Sequence, residues 1–193
     1  MSDSPRPSSA ILVIDTQVDL IQGEKPVHNG SAVVARIRSL TERARLSGVP
    51  VIYLLDKDVA TPDSPGWQLD PGLHAREEDL RIRKDYSDSF HHTDLHEKLQ
   101  ARGVTRVIVC GCTTDACVDM TARRAVALGY DVVLASDAHT TTDNSFLSAQ
   151  QSIAYYNLML DGFGAEDGFG NGEHEIVAKP CFEIDFQGRG GPS

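Results

Sequence analysis

The sequence predicts an α/β fold, a three-layer α/β/α sandwich around a mostly parallel, doubly wound sheet of five or six strands. Two observations support this prediction. Continuous apolar runs such as Ala10–Ile14 and Val107–Cys110 are typical of parallel strands that helices cover on both faces. Segments with apolar residues at helical spacing stand between such runs, and this regular alternation favours parallel βαβ units.

The first half of the chain supplies three of the predicted strands and one long helix. The first strand, Ala10–Ile14, leads to a helix over Ser31–Leu46, which begins at an N-cap serine and carries apolar residues at helical spacing. A second strand covers Val49–Leu55, and a weaker third strand covers Leu80–Arg83. The stretch 56–79 between them is too long for a simple connection, so we expect a functional loop.

Helices and strands alternate through the second half of the chain. The predicted elements are a short helix between Thr93 and Gly103, a strand over Val104–Cys110, a helix from Cys117 to about Gly129, a strand over Asp131–Ala135, a helix over about Asn144–Leu160 and a strand over Glu175–Ala178. Glycines follow two of these helices, as is common at helix ends.

Length and composition indicate one ordinary globular domain. A chain of 193 residues can build one hydrophobic core and leaves little room for a second, so we predict a single domain over 1–193. Its polar ends, 1–9 and 187–193, are expected to be flexible. Hydrophobic residues make up 40% and charged residues 24%, as in soluble domains. The formal net charge of −10 disfavours a nucleic acid as partner.

The sequence also suggests where the protein resides. No apolar stretch approaches the roughly 20 residues that a membrane-spanning helix requires, so no membrane partner is expected. The residues before Ala10 lack the pattern of a signal peptide. The four cysteines, Cys110, Cys112, Cys117 and Cys181, fit neither a disulfide scaffold nor the paired spacing of structural zinc sites. These features predict a reducing, cytoplasmic location.

Three residues of reactive types stand at the carboxyl ends of predicted strands, where ligand sites lie in parallel sheets. Asp15 ends the first strand, Lys84 ends the third, and Cys117 follows the fourth. Cys117 also falls in the first turn of a predicted helix, where the helix dipole and free backbone N–H groups stabilise a thiolate. Their common position at one edge of the sheet predicts a cysteine hydrolase.

Five blocks of the sequence resemble one known family. They are Val13–Leu20, Lys84–Leu95, Gly111–Arg123, Gly129–Val133 and Ser136–Thr141. In this order and spacing the blocks resemble the isochorismatase-like cysteine hydrolases, a family that includes nicotinamidases and N-carbamoyl amidohydrolases. The resemblance spans most of the chain and implies the family's α/β/α fold.

The resemblance implies a role for each reactive residue. Cys117 corresponds to the nucleophile that attacks an amide carbon and forms a thioester. Asp15 corresponds to the general base, and Lys84 to the cation that keeps Asp15 ionised and favours the thiolate. A non-proline cis peptide precedes the nucleophile in the family, and here it would join Cys112 to Thr113. The backbone N–H groups of Thr113 and Cys117 would then form the oxyanion hole.

Departures from the family's subgroups bear on cofactors and on the bond that is cleaved. Nicotinamidases carry an Asp-x-His metal site after the second strand, whereas this chain has Asp56-Lys57-Asp58 there. His74 could join only a weak site, so we expect neither a metal nor another cofactor. Relatives that cleave the vinyl ether of isochorismate often lack the cysteine. Cys117 therefore favours hydrolysis of a C–N bond in a small amide, ureido or carbamoyl compound.

Two further residues are candidates for substrate binding. Gln17 belongs to the first-strand block beside Asp15. Trp67 lies in Ser64–Gln68, which resembles a pocket loop of family members, and loops at this edge of a sheet commonly carry specificity. Packing of Trp67 on the core as a loop anchor is an equal alternative. The sequence does not identify the substrate, and we expect a homo-oligomer, either a dimer or a tetramer.

Other classes of protein remain as alternatives. A non-hydrolytic thiol sensor or a binding protein could use the same scaffold, although a sensor would not need Asp15 and Lys84 beside its cysteine. An isochorismatase-type hydrolase is a further alternative. A Rossmann dinucleotide enzyme is disfavoured, because Asp15-Thr16-Gln17 stands where a glycine-rich turn would follow the first strand.

Overall fold

A six-stranded sheet runs through the centre of the computed structural model, which describes residues 8–164 and 172–186. The strands are β1 (Ser8–Ile14), β2 (Val51–Asp56), β3 (Leu80–Lys84), β4 (Val104–Cys112), β5 (Asp131–Thr140) and β6 (Ile176–Lys179). All of them pair in parallel, in the order β3-β2-β1-β4-β5-β6. The predicted α/β sandwich with a doubly wound sheet is confirmed.

Helices cover both faces of this sheet. They are α1 (Val18–Gln22), α2 (Gly30–Leu46), α3 (Leu95–Gln100), α4 (Asp119–Ala127) and α5 (Ala149–Leu160). In β1, Ile11 and Val13 pack into the core that contains α2, whereas Leu12 and Ile14 pack into the core that contains α3, α4 and α5. Successive side chains of a strand point to opposite faces, so a strand buried on both faces needs the continuous apolar run that the sequence contains.

The strand order reverses between β1 and β4, and this reversal positions the candidate site. Ligands of open α/β sheets bind beyond the carboxyl ends of the strands at such a switch point. Gly111, near the end of β4, has a φ of 113°, and a Cβ atom there would overlap the carbonyl oxygen of Ile14. Glycine therefore lets the ends of β1 and β4 approach each other closely.

Several elements differ from the predicted ones: α1 was not predicted, β5 runs to Thr140 rather than Ala135, and the first strand and the last long helix begin elsewhere. Ser8 and Ser9 belong to β1, so the first strand begins earlier than predicted. The rest of the ends expected to be flexible lies outside the described residues. Helix α5 begins at Ala149 rather than Asn144, because Ser148 and Gln151 form a capping box. The Asn144 side chain instead accepts the N–H groups of Phe146 and Leu147, in the turn before α5.

None of the helices in the described part of the chain combines the length and the apolar character needed to cross a membrane.

Candidate active site

Asp15, Lys84 and Cys117 meet at the carboxyl edge of the sheet. The Nζ atom of Lys84 lies 2.8 Å from Oδ2 of Asp15 and 3.4 Å from Sγ of Cys117. All three side chains are buried, with exposed fractions of 1% for Lys84, 2% for Asp15 and 8% for Cys117. Residues far apart in sequence thus form one cluster, with the ammonium group between the carboxylate and the thiol.

Cys117 lies in a π-helical turn, Thr114–Val118, that precedes α4. The N–H of Val118 donates to the carbonyl of Thr113 at 3.1 Å, which closes the wide turn. The peptide bond between Cys112 and Thr113 is cis. The prediction that Cys117 occupies the first turn of an α-helix is therefore wrong in detail. Cys117 lies in the π-helical turn, and α4 begins two residues later, at Asp119. Such turns are frequent at functional sites.

A buried histidine anchors this turn to the rest of the fold. Thr114 Oγ1 lies 2.8 Å from Nδ1 of His139, whose Nε2 lies 2.9 Å from Oδ1 of Asn157. The Asn157 amide donates to the carbonyl of Ser136, which leaves Oδ1 as the acceptor. His139 Nε2 therefore carries the proton, and Nδ1 accepts the Thr114 hydroxyl. Burial lowers the pKa of His139, which keeps the ring neutral and the turn fixed.

Asp15 combines a strained backbone with a buried carboxylate that is only partly hydrogen-bonded. Its backbone φ of 44° is in the left-handed region, which costs energy for any residue but glycine and is concentrated at functional sites. Its Oδ1 is buried and has no hydrogen-bond partner among the described residues. Burial raises the pKa of Asp15 to about 6, against the opposing attraction of Lys84. Asp15 is therefore ionised at neutral pH and close to taking a proton.

The surroundings of Cys117 favour the protonated thiol over the thiolate. Burial and the negative charge of Asp15 raise the pKa of Cys117 to about 12, and they outweigh Lys84. This direction runs against the expectation of a resting thiolate, because desolvation and the Asp15 carboxylate both disfavour a second negative charge beside Lys84. Burial lowers the pKa of Lys84, but Asp15 and Cys117 more than compensate and hold it above its usual value.

Asp56 is a member of the cluster that the sequence interpretation missed. Its Oδ2 lies 2.6 Å from Nζ of Lys84, closer than that of Asp15, and its Oδ1 accepts the N–H of Asp58 at 2.8 Å. A signal was present, because Asp56 ends β2 and pairs in register with Lys84 on β3. The sequence analysis considers Asp56 only in comparison with the Asp-x-His metal site of nicotinamidases.

Gln17 supports Asp56 and is not available to a substrate. Its Oε1 accepts the N–H of Asp56 at 2.9 Å, and its Nε2 donates to the carbonyls of Asp56 at 3.2 Å and Trp67 at 2.8 Å. The side chain is fully buried. The prediction that Gln17 binds substrate is wrong, because the backbone of neighbouring segments already uses its amide.

Trp67 is an anchor of the long loop between β2 and β3. It is buried, with 4% exposed, and its Nε1 donates to the carbonyl of Asp56 at 2.9 Å. It lines a second cleft of about 440 Å³, together with His74, and not the cleft that contains Cys117. Of the two roles left open by the sequence, the anchor describes this residue, which does not line the cleft that contains Cys117.

The cleft that contains Cys117, which we call the catalytic cleft, has a volume of about 490 Å³. It is lined by Asp15, Leu20, Asp56, Asp58, Val59, Asp85, Tyr86, Ser87, Thr113 and Cys117. Thr113, one of the two predicted oxyanion donors, therefore lies beside the nucleophile. The volume falls within the range of small-molecule sites.

The cluster offers three potential metal ligands, which are one atom each of Asp15, Asp56 and Cys117 within 4.8 Å of one another. The Lys84 ammonium group already contacts all three side chains. A metal ion would have to displace this fixed positive charge, so the donor set does not fit a metal while Lys84 is in place. His74 lines the second cleft and does not join this ligand set.

Comparison with known proteins shows the family. A family model described as the isochorismatase domain matches residues 9–160. A streptothricin hydrolase of Streptomyces noursei is 39% identical over 138 residues, which are 69% of this chain and 50% of that protein. An uncharacterised isochorismatase-family protein of Escherichia coli O157:H7 is 32% identical over 149 residues, which are 68% of this chain and 79% of that protein. The chain thus spans about half the length of the streptothricin hydrolase.

Solved structures agree with these likenesses. The crystal structure of an isochorismatase from Pseudomonas putida KT2440 covers 95% of this chain and 94% of that chain, at 28% identity and a TM-score of 0.79. N-carbamoylsarcosine amidase from Thermoplasma acidophilum shares the fold, with 92% of this chain and 99% of that chain covered at 22% identity and a TM-score of 0.71. The resemblance carried by the five sequence blocks is confirmed. The chain belongs to the isochorismatase family, a family of hydrolases.

Proposed function

We propose that the protein is a metal-independent cysteine amidohydrolase that cleaves a C–N bond of a small amide, ureido or carbamoyl compound. The observation that carries this proposal is the position of Lys84 Nζ, 2.8 Å from Asp15 and 3.4 Å from Cys117. A buried thiol, carboxylate and ammonium group at one cleft make up a nucleophile with its base and a fixed cation. The amidase and streptothricin hydrolase among the relatives are consistent with hydrolysis.

In the first half of the reaction Cys117 is the nucleophile and Asp15 the base. Sγ forms a bond to the carbonyl carbon while its proton passes to Asp15, which has a pKa of about 6. The carbonyl oxygen becomes an oxyanion, and we assign its stabilisation to the backbone N–H groups of Thr113 and Cys117. The C–N bond then breaks as Asp15 returns the proton to the leaving nitrogen. Ammonia or an amine departs, and a thioester remains on Cys117.

In the second half Asp15 acts on water. The carboxylate takes a proton from a water molecule as the water oxygen attacks the thioester carbon. The C–S bond breaks, the acid product forms, and the proton held by Asp15 returns to Cys117. One residue thus acts as base and acid in turn, which is effective because its pKa lies near neutral pH.

Lys84 and Asp56 set the charge of the site through this cycle. Lys84 keeps Asp15 ionised although burial opposes ionisation. Asp56 holds the ammonium group at 2.6 Å and prevents Lys84 from pairing with Asp15 alone. Two carboxylates on one ammonium leave Oδ1 of Asp15 free to receive the thiol proton.

A thiol-sensor role receives less support from this geometry. Sensor thiols are exposed and have low pKa values, whereas Cys117 is 8% exposed and its pKa is raised to about 12. A base beside the thiol, as Asp15 is here, suits a nucleophile that is deprotonated only when substrate is attacked.

The proposal is tested by screening small amides, ureas and carbamoyl compounds for release of ammonia. Cys117→Ala is expected to abolish release, and Cys181→Ala is the matched control, since both cysteines are 8% exposed. Activity is expected to survive dialysis against EDTA, because Lys84 occupies the position of a cation. Loss of activity that zinc or iron restores would overturn the metal-free mechanism, and release undiminished in Cys117→Ala would overturn the nucleophile.

A further inference from the structure

The charged side chains that line the catalytic cleft are all acidic. They are Asp15, Asp56, Asp58 and Asp85, and no lysine, arginine or histidine belongs to the lining among residues 8–164 and 172–186. Lys84 lies behind this surface, where its side chain is enclosed by the two inner carboxylates. The cleft therefore presents one sign of charge to an entering molecule.

Neighbouring cations cancel only part of this negative charge. Asp15 and Asp56 share the single charge of Lys84, which leaves one net negative charge at the base of the cleft. At its mouth, Asp58 pairs with Lys57 at 2.9 Å. Asp85 is exposed and has no direct ion pair within the described residues, although its charge, after that of Asp58, acts on the ammonium group of Lys57. A cleft with such a lining concentrates cations and repels anions.

An aromatic ring lies beside these carboxylates. Tyr86 lines the cleft with 47% of its surface exposed. Its ring meets His91 and His92 in edge-to-face geometry, with centroids 4.5 Å and 5.5 Å apart, and its carbonyl accepts from Lys84 at 3.2 Å. The two ring contacts and the hydrogen bond hold Tyr86 in place beside Asp85. Cations are attracted to aromatic rings as well as to carboxylates.

The floor of the cleft contains a polar atom that needs a partner. Oδ1 of Asp15 is buried, 2% of the residue is exposed, and the atom has no hydrogen-bond partner in the described structure. Buried polar atoms are almost always satisfied, and beside the Cys117 thiol this oxygen is the place for the amide nitrogen that receives the proton in the proposed reaction. The acidic lining leads from the mouth at Asp85 to this atom.

We propose that the catalytic cleft selects substrates whose scissile amide lies next to a positively charged group, an ammonium or a guanidinium. This inference rests on the proposed amidohydrolase function and names the class of its substrate. The amide carbon is placed at Cys117, and the cation lies toward Asp85 and Tyr86. Anionic amides are excluded, because the lining offers them no cation.

The charge preference is measured first without turnover, through the rate at which Cys117 reacts with methanethiosulfonate reagents. The cationic ethyltrimethylammonium reagent and the anionic ethylsulfonate reagent are similar in size and reach a thiol through the same cleft. Cys117→Ala supplies the blank for the other cysteines. Asp85→Asn removes the unpaired charge, and Glu42→Gln removes one charge from the exposed face of α2 as the matched control.

The cationic reagent is expected to react faster than the anionic one, although Lys84 beside the thiol favours the anion locally. Asp85→Asn is expected to lower the cation-to-anion rate ratio about two- to fivefold, the size expected of one partly exposed charge. Glu42→Gln is expected to leave the ratio unchanged, and added salt to lower it in the wild type. A wild-type ratio at or below one, or a ratio insensitive to Asp85→Asn, would overturn the proposal.

Turnover is measured next with 2-(trimethylammonio)acetamide and its neutral isostere 3,3-dimethylbutanamide. The two amides differ in intrinsic reactivity, so kcat/KM for the cationic amide is first divided by kcat/KM for the neutral one. This ratio in the wild type is then divided by the same ratio in Asp85→Asn. This double ratio is expected to exceed about two. A double ratio of one contradicts the substrate class while leaving the amidohydrolase standing. Release of ammonia from no amide, with the thiol rates as expected, contradicts the amidohydrolase instead.

Discussion

The two clefts beside β2 and β3 are similar in size and differ in how their polar groups are satisfied. The catalytic cleft has a volume of about 490 Å³ and the second cleft about 440 Å³. In the second cleft Arg83 pairs with Asp63 and lies 4.7 Å from the centre of the Trp67 ring. In the catalytic cleft Oδ1 of Asp15 has no partner among the described residues. The difference shows that an unsatisfied reactive group, and not volume, marks the site.

One residue connects the two clefts. Asp56 directs its carboxylate to Lys84 in the catalytic cleft, while its backbone carbonyl accepts the Trp67 indole from the side of the second cleft. The side chain of Gln17 hydrogen-bonds both the backbone N–H and the backbone carbonyl of Asp56. The second cleft therefore contains the support of Asp56 rather than a second reaction centre. Substitutions on the catalytic side should lower activity and stability together, whereas those on the other side should lower stability and leave substrate preference unchanged.

The largest effect is expected for Lys84→Met, which removes the ammonium group at similar length. Turnover should fall roughly 10²- to 10⁴-fold, the range for loss of general-base catalysis, because Asp15 would no longer be kept ionised. Asp15 and Asp56 would then be buried without a cation, and the free energy of unfolding should fall by about 3–5 kcal/mol. Steady-state rates and denaturant unfolding test both parts. Arg83→Met, one residue earlier in β3 and exposed, is the control; a Lys84→Met enzyme as fast as this control would refute the assignment.

Trp67→Ala tests the other side of the comparison. Deletion of a buried tryptophan should lower the free energy of unfolding by about 3–5 kcal/mol, and Trp67→Phe should lower it less because the ring volume is largely kept. Relative preference among amide substrates should not change, since Trp67 does not line the catalytic cleft. Thermal unfolding and a substrate panel on the same variants decide the matter. A stable Trp67→Ala variant with altered preference would restore the substrate-binding role.

Asp56→Asn should shift a pH profile by a smaller amount. Asp15 must be ionised to act as base, so wild-type kcat/KM should fall as the pH falls through about 6. The charge of Asp56 contributes to the raised pKa of Asp15, and its removal should move the midpoint to lower pH by up to about one unit. Asp58→Asn is the matched control, because its carboxylate is exposed and paired with Lys57. An unmoved or upward-shifted midpoint in Asp56→Asn would contradict this coupling.

The smallest effect is expected for Arg83→Met taken by itself. It breaks an exposed ion pair with Asp63 and a contact with the face of Trp67. Such pairs contribute about 1 kcal/mol or less, so unfolding should shift slightly and turnover should stay near that of the wild type. A large loss of activity would show that the second cleft takes part in the reaction.

Periodicity and strand ends account for what could be predicted from the sequence. The apolar runs located the strands of the sheet, and the rule for carboxyl ends placed Asp15, Lys84 and Cys117 at one edge, where they meet. The same rule places Asp56, which ends β2, at that edge. The sequence analysis considers Asp56 only in comparison with a metal motif. Local side-chain bonds shifted other boundaries, as the capping box at Ser148 did for α5.

The sequence by itself determined the layered α/β architecture and the identity of the reactive residues, because both follow from local patterns of apolar side chains and from strand order. Tertiary structure alone decided the state and the partners of those residues. Burial raises the pKa values of both Cys117 and Asp15, against the attraction of the shared cation Lys84. Contacts across the fold turn Gln17 and Trp67 into supports of Asp56. Desolvation and pairing depend on distances through space, which a linear pattern does not contain.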